Sequence, residues 1–247
     1  MIPRLYAPAR LSAGATLALD SDAAHHAVRV LRLAPGDPVE LFDGDGRSAA
    51  ATLTATRPAA VRIDAILDAE PDPVIALTLA QCLSSADKMD WTIEKAVELG
   101  VVAVVPLQSA RSVVRLDAER AARRETHWLR LMAAACAQCR RNRLPRLHPV
   151  TTIDAWLRGL PPCPPGERRL ILDQAAAESL SARSMRDARP EAFVLLCGPE
   201  SGFGDGERAL ASECGWEPVS LGPRVLRTET AGLAALAVLQ AMLGDLR

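Results

Sequence analysis

The sequence predicts an α/β protein in two parts, a small β-barrel with one helix followed by a larger domain built on a mainly parallel sheet. Three observations predict it. Residues 1 to about 70 carry short strand-like runs separated by turns. Asp68-Ala69-Glu70-Pro71-Asp72-Pro73 has no hydrophobic pattern and two prolines, which marks a linker. From Val74 onward apolar strand candidates alternate with helical patterns, the signature of a parallel α/β sheet. The expected domains are therefore 1–70 and 74–247.

In the first part, Thr16 to Leu19, Pro38 to Phe42, Ala49 to Thr56 and Val61 to Leu67 read as strands. Asp43-Gly44-Asp45-Gly46 marks a hairpin turn between two of them. Asp22 to Leu33 reads as a helix whose packed face holds Ala23, Ala27, Val30 and Leu31, stopped by Pro35-Gly36. In the second part, Val74 to Cys82 and Val101 to Pro106 are buried strand candidates. The helix Asp87 to Leu99 lies between them, and a long helix over 117–140 follows. Pro161 to Gly166 is a rigid surface connection, and Leu170 to Leu172 a further strand.

The last quarter organises the chain. The apolar run Phe193 to Cys197 leads into the loop Gly198-Pro199-Glu200-Ser201-Gly202-Phe203-Gly204, then a helix over Asp205 to Cys214. A strand candidate, Pro218 to Leu221, leads into Gly222-Pro223-Arg224 and an Ala/Leu-rich helix ending near Leu243. Loops at strand ends are where α/β folds place ligand sites, and glycine lets backbone approach a ligand closely. Either loop alone is compatible with a plain tight turn. Together, with Arg224, Arg227 and Glu229 beside them, they read as a site.

Composition narrows the class. The chain has 247 residues, 49% hydrophobic and 24% charged, with a formal net charge of −1, so it is not basic as a whole. There is no apolar run long enough to span a membrane and no signal-peptide pattern at the start, and six scattered cysteines fit reduced thiols; a cytoplasmic protein is expected. Neither a P-loop nor a dinucleotide-type glycine fingerprint is present. Cys136-Ala137-Gln138-Cys139 stands alone inside a helical pattern, and the histidines lack ligand spacing, so no metal is expected.

Charge is nonetheless uneven. From Arg111 to Arg146 ten arginines face three acids, a local balance of +7 that is densest at Arg140, Arg141 and Arg143. Such a cluster is either a solvated helix face or a phosphate-contact surface. Arg29 and Arg32, one helical turn apart, form a second candidate contact. Lys88 and Lys95 share a helix face and read either as surface charge or as ligand contacts. The final helix is apolar around most of its girth and calls for burial on several sides, which a subunit interface would supply.

Two motifs carry a resemblance: Gly198-Pro199-Glu200-Ser201-Gly202-Phe203 and Leu221-Gly222-Pro223-Arg224-Val225-Leu226-Arg227-Thr228-Glu229-Thr230-Ala231. His26 to Arg32, Lys88 to Val101 and Gln138 to Pro145 add to it. The chain resembles the ribosomal RNA small subunit methyltransferase E family, which methylates N3 of one uridine in 16S RNA. The first motif departs from the family's Gly-Pro-Glu-Gly-Gly at Ser201, and serine is costly wherever φ must be positive.

The resemblance implies a SPOUT methyltransferase domain with a deep trefoil knot behind a PUA-like RNA-binding domain. It implies a homodimer acting on 16S rRNA within the small ribosomal subunit, with S-adenosylmethionine as donor. The donor site would comprise Leu196, Gly198, Pro199, Glu200 and Gly202 in one loop and Leu221, Gly222, Leu226 and Arg227 near the other. N3 of uracil carries a weakly acidic proton. Arg224 and Arg227 are candidates to stabilise the resulting charge, and Glu200 or Glu229 to take the proton. Ion pairing of those arginines with those glutamates is the competing reading. Candidate RNA contacts are Arg29, Arg32, Lys88, Arg140, Arg141 and Arg143. The competing functions are a related knotted methyltransferase with another target base and a non-catalytic RNA-binding assembly protein.

Overall fold

The computed structural model describes residues 2–184 and 190–246. The chain divides into two compact units, Met1–Asp72 with Ala133–Leu144, and Pro73–Met132 with Pro145–Arg247. Residues 133–144 thus belong with the first unit, although they follow the linker by 60 positions.

The first unit holds β1 (Arg4–Tyr6), β2 (Thr16–Ala18), α1 (Ser21–His25), β3 (Pro38–Phe42), β4 (Ser48–Thr56) and β5 (Ala59–Ile66). They form a five-stranded sheet in the order β1-β3-β4-β5-β2. All pairings are antiparallel except β1 with β3. The β3–β4 hairpin forms where expected. Asp43 Oδ1 accepts from the Asp45 and Arg47 amides at 2.8 and 3.0 Å and so fixes the turn. Alternating residues Leu5, Val39, Leu41, Ala49, Ala51, Leu53, Val61 and Ile63 face one core, joined by Ala27.

The helix expected over Asp22 to Leu33 is shorter. Asp20 caps α1 by accepting from the Asp22 and Ala23 amides, and the chain then widens into a π-helical turn over His26–Val30. Arg32 follows with φ of +56°. Ala23 and Ala27 are buried, whereas Val30 and Leu31 are exposed, because the π turn breaks the 3.6-residue period. Arg29 and Arg32 are therefore not stacked one α-helical turn apart.

β1 was not foreseen, since its three residues include a charge. Arg4 is nonetheless buried. Its guanidinium pairs with Glu40 at 2.9 Å, reaches the Cys136 carbonyl at 3.1 Å, hydrogen-bonds Asn142 and lies 5.0 Å from the centre of the Phe42 ring. Glu70 and Asp72, read as linker, hold the same segment. Glu70 accepts from the Asn142 and Arg143 amides, and Asp72 pairs with Arg143 at 2.8 Å. The Cys136 thiol is pushed up to about 12 by burial, which makes it a packing group.

The second unit holds β6 (Ala76–Cys82), α2 (Ala86–Glu98), β7 (Ala103–Gln108), α3 (Ala118–Cys139, its first turns), β8 (Arg146–Leu147), β9 (Thr151–Thr152) and α4 (Ile153–Gly159). There follow β10 (Glu167–Leu172), α5 (Leu180–Ser184), β11 (Ala192–Cys197), α6 (Asp205–Glu213), β12 (Glu217–Val219) and α7 (Thr228–Leu243). Its seven strands are all parallel, ordered β12-β10-β11-β6-β7-β8 with β9 also on β7. A strand covered on both faces needs a continuous apolar run. Central β11 has one, with Phe193, Leu195, Leu196 and Cys197 all buried.

α7 packs against α2, α5, β6 and β11. Much of its apolar girth is therefore covered within this unit. Asp90 of α2 ties α3, accepting from Trp128 Nε1 at 3.0 Å and meeting His127 Nε2 at 2.8 Å. The short elements β8, β9, α4 and α5 were not foreseen, although both helices have a recognisable cap: Thr152 Oγ1 accepts from the Ala155 amide and Ser179 Oγ from the Ala182 amide, each at 3.2 Å.

Candidate functional site

Strands β10, β11 and β12 all point their carboxyl ends at one cleft of about 600 Å³ in the second unit. Its walls are residues 172–175 after β10, 197–203 after β11 and most of 219–228 after β12, with Lys88 and Ala231. Both glycine loops picked out in the sequence thus meet in one place, as the strand-end rule predicts. Every residue expected in the donor site except Leu196 lines the cleft; Leu196 is buried in the sheet core beneath it.

The first loop is held by buried polar contacts. Gln81, paired with Cys197 across β6 and β11, is fully buried. Its Nε2 donates to Thr228 Oγ1 at 2.9 Å, and Thr228 Oγ1 donates to the Gly198 carbonyl at 2.6 Å. Cys197 Sγ reaches the Thr228 carbonyl at 3.5 Å. The start of α7 is thereby tied to the loop after β11. A Cβ on Gly198 would stand 3.0 to 3.2 Å from the buried Phe203 ring, so only glycine lets that ring close over the loop.

The far side of the loop is fastened to the turn after β7. Ser201 Oγ donates to the Arg111 carbonyl at 3.0 Å, and Arg111 Nη1 donates to the Phe203 carbonyl at 3.3 Å. Glu207, almost fully buried, accepts from the Gly204 and Ala110 amides, both at 2.8 Å. The positive φ in this loop falls at Gly202 (+69°) and not at Ser201. Serine at 201 is therefore unstrained and contributes a hydrogen bond that glycine could not make.

The charged groups pair differently from the alternatives the sequence suggested. Among the described residues neither Arg224 nor Arg227 forms an ion pair with Glu200 or Glu229. Lys88 takes that part: its ammonium hydrogen-bonds Glu200 and lies 3.7 Å from Glu229. The Glu200 hydrogen bond holds the Lys88 pKa above its ordinary value. Both arginines keep exposed side chains at the cleft. Glu229 is largely buried and its Oε2 has no hydrogen-bond partner.

Sequence reasoning missed Asp173, Gln174, Thr228 and Gln81 as site residues, and Lys88 as a partner of the cleft carboxylates. Asp173 pairs with Arg208 at 2.8 Å and accepts from the Ala175 amide at 3.0 Å. Its position after the apolar run Leu170-Ile171-Leu172 was the available signal. Of the other proposed contacts, Arg29 and Arg32 are exposed, and Arg140 meets Glu40 at 3.3 Å while remaining mostly exposed. Arg141 lies 3.9 Å from Glu70 and is largely buried. Arg143 pairs with Asp72 and donates to the Asp45 and Glu70 carbonyls at 3.3 Å. No group of three or more His, Cys, Asp or Glu among the described residues could hold a metal. No described helix is long and apolar enough to cross a membrane.

The RNA methyltransferase domain model matches residues 70–240, and an RNA methyltransferase PUA domain model matches residues 19–64. The chain belongs to the ribosomal RNA small subunit methyltransferase E family. A family member from Mycobacterium bovis is 30% identical over 90% of this chain and 85% of its own length. Another, from Bacillus subtilis, is 29% identical over 91% of this chain and 89% of its own. Among solved structures, a ribosomal RNA small subunit methyltransferase E from Neisseria gonorrhoeae bound to S-adenosyl methionine aligns with TM-score 0.88 and 36% identity over the full length of both chains. A Legionella pneumophila methyltransferase in complex with bound cofactor SAM aligns with TM-score 0.90 and 36% identity over 99% of both. The parallel α/β methyltransferase fold and the PUA-like domain of the family are thus those of this chain.

Proposed function

We propose that the chain transfers the methyl group of S-adenosylmethionine to N3 of one uridine in the 16S RNA of the small ribosomal subunit. One observation carries the reading: two glycine loops and the start of α7 enclose a single cleft at the carboxyl ends of β10, β11 and β12, in a chain 36% identical to relatives described with the donor bound. The cleft suits the donor in size, near the middle of the usual range for small-molecule sites.

In this reading the loops at 198–202 and 221–227 hold the donor through backbone groups, with Leu196 shaping the floor. The donor supplies an electrophilic methyl group whose sulfur leaves as a neutral thioether. Glu200, which lines the cleft, or Glu229 takes the N3 proton, directly or through water. Arg224 and Arg227 meet the negative charge that develops on O2 and O4. Lys88 supports this division of labour, since it pairs with Glu200 and lies near Glu229 and so leaves both arginines for substrate.

Residues 74–247 are read as a SPOUT domain with a trefoil knot, of which 133–144 pack with the first unit, and residues 1–70 as a PUA-like RNA-binding barrel. Arg29, Arg32 and Arg140 would touch RNA phosphates, while Arg141 and Arg143 chiefly brace the first unit. A cytoplasmic homodimer completes the reading; Trp91, nearly half exposed on α2, gives the dimer an apolar contact. The test incubates the protein with labelled donor and small subunits from cells lacking the activity, then analyses nucleosides by mass spectrometry. A single 3-methyluridine in 16S RNA is expected. A different methylated nucleoside would reject the target, and no transfer to subunits or naked RNA would reject the enzyme.

A further inference from the structure

The first unit carries a second cleft, of about 560 Å³, that the methyl-transfer reading does not use. It is lined by Tyr6 and by residues 8–10, 43–45, 47 and 144, all within that unit. Tyr6 is the only tyrosine in the chain, and its ring is fixed from behind. It packs on Phe42 at 5.4 Å between centroids, and Phe42 is itself backed by the buried Arg4 guanidinium. Gly44 presses close enough that a Cβ there would stand 2.9 Å from the Tyr6 ring. The ring is half-buried, with its remaining surface on the cleft.

Arg10 and Arg47 stand on the same cleft with exposed side chains. Among the described residues neither forms an ion pair, whereas Arg4, Arg62, Arg140, Arg141 and Arg143 of this unit each meet a carboxylate. A fixed aromatic face sharing a cleft with two guanidinium groups that form no ion pair suits a flat ring joined to phosphates. Two acids complete the wall. Asp43 uses one oxygen on the Asp45 and Arg47 amides, while Asp45 is exposed and available as an acceptor. Burial first, then Asp45 and Asp43, raise the Tyr6 phenol above its usual pKa and keep it neutral.

We infer that this cleft binds one nucleotide of single-stranded RNA, its base stacked on Tyr6, its flanking phosphates on Arg10 and Arg47, and its amino group on Asp45. The inference rests on the reading of the chain as an RNA methyltransferase, and it adds a site some positions of which, Tyr6 to Arg10, lie outside the matched PUA region. Cytosine and uracil differ in the group at C4, a donor in one and an acceptor in the other, so a carboxylate separates them.

The experiment titrates the full chain against fluorescein-labelled cytidine and uridine hexamers, read by anisotropy. The cytidine hexamer should bind several-fold tighter, and Asp45→Asn should narrow the gap. Tyr6→Leu should weaken cytidine binding roughly tenfold, while Tyr6→Phe, which keeps the ring, should not. Arg47→Ala should weaken it several-fold and lower the salt slope by about one, while Arg57→Ala, at an exposed arginine away from the cleft, should change binding less. Wild-type affinity in both Tyr6→Leu and Arg47→Ala, equal loss in Arg57→Ala, or equal binding of the two hexamers would overturn the site. If Tyr6→Leu does not fold, Arg10→Ala and Arg47→Ala decide it alone. A wild type that binds these hexamers through Tyr6 but methylates no RNA would reject the enzyme reading and keep the site.

Discussion

Thr228→Val tests whether the donor loop is held by the start of α7. Valine nearly matches threonine in volume, so the change removes one hydroxyl and little packing. That hydroxyl joins two groups: it accepts from Gln81 Nε2 at 2.9 Å and donates to the Gly198 carbonyl at 2.6 Å. Gln81 keeps a 3.2 Å contact to the Cys82 carbonyl, and Gly198 is only half-buried, so neither group is wholly orphaned. A buried polar group left without its partner costs about 1–3 kcal/mol, and two partly compensated ones should cost about 2 kcal/mol together. All four tryptophans (91, 128, 156 and 216) lie in the second unit, so their fluorescence in a urea titration follows that unit alone. Donor affinity, measured by calorimetry, should weaken in parallel, since Thr228 also lines the cleft. Thr228→Ser keeps the hydroxyl and should recover most of both losses. A Thr228→Val protein within about 0.5 kcal/mol of wild type, or a serine variant as impaired as the valine one, would refute the tie.

Ser201→Gly should destabilise the second unit by about 1 kcal/mol and weaken donor binding, because it removes the bond to the Arg111 carbonyl and adds chain entropy at a position that does not need positive φ; a gain in either quantity would show that serine is the strained residue. Lys88 has a raised pKa through Glu200, so its contribution to stability is present below the ordinary lysine pKa and lost as pH rises through the folded value. Wild type and Lys88→Met should therefore differ in urea midpoint at pH 8 and converge above about pH 11, and a constant gap across that range would reject the pairing. His148 is depressed by burial and then by Arg146, so it favours folding above its ordinary pKa and opposes it as pH falls below; His148→Gln should flatten the stability loss below about pH 6.5. Arg143→Ala should unfold the first unit more readily with little effect on the salt slope of RNA binding, whereas Arg29→Ala should lower that slope by about one and leave stability unchanged.

The features that could be read before the structure share a physical basis: each is written in residues close together in the chain. The β11 run and the glycine loop after it are contiguous, so both the strand and the loop at its end could be placed from Phe193 to Gly204 alone. The β3–β4 turn was equally local, because Asp43 satisfies amides two and four residues ahead. The failures have the opposite character. The densest part of the basic segment, Arg140, Arg141 and Arg143, suggested a phosphate surface, but each of the three meets a carboxylate far away in the chain, at Glu40, Glu70 and Asp72. Lys88 was read as surface charge or RNA contact for the same reason, since Glu200 lies 112 positions further on. Asp22 to Leu33 failed differently: its composition suits an α-helix, and nothing local announces the π turn that turns Val30 and Leu31 outward. Charge counted along a sequence measures what a segment carries before folding. The charge offered to a ligand is what remains after distant carboxylates have closed on it. By that measure Arg224 and Arg227 at one cleft, Arg10 and Arg47 at the other, and the exposed Arg29 and Arg32 offer RNA more charge than Arg141 or Arg143, which carboxylates have closed on.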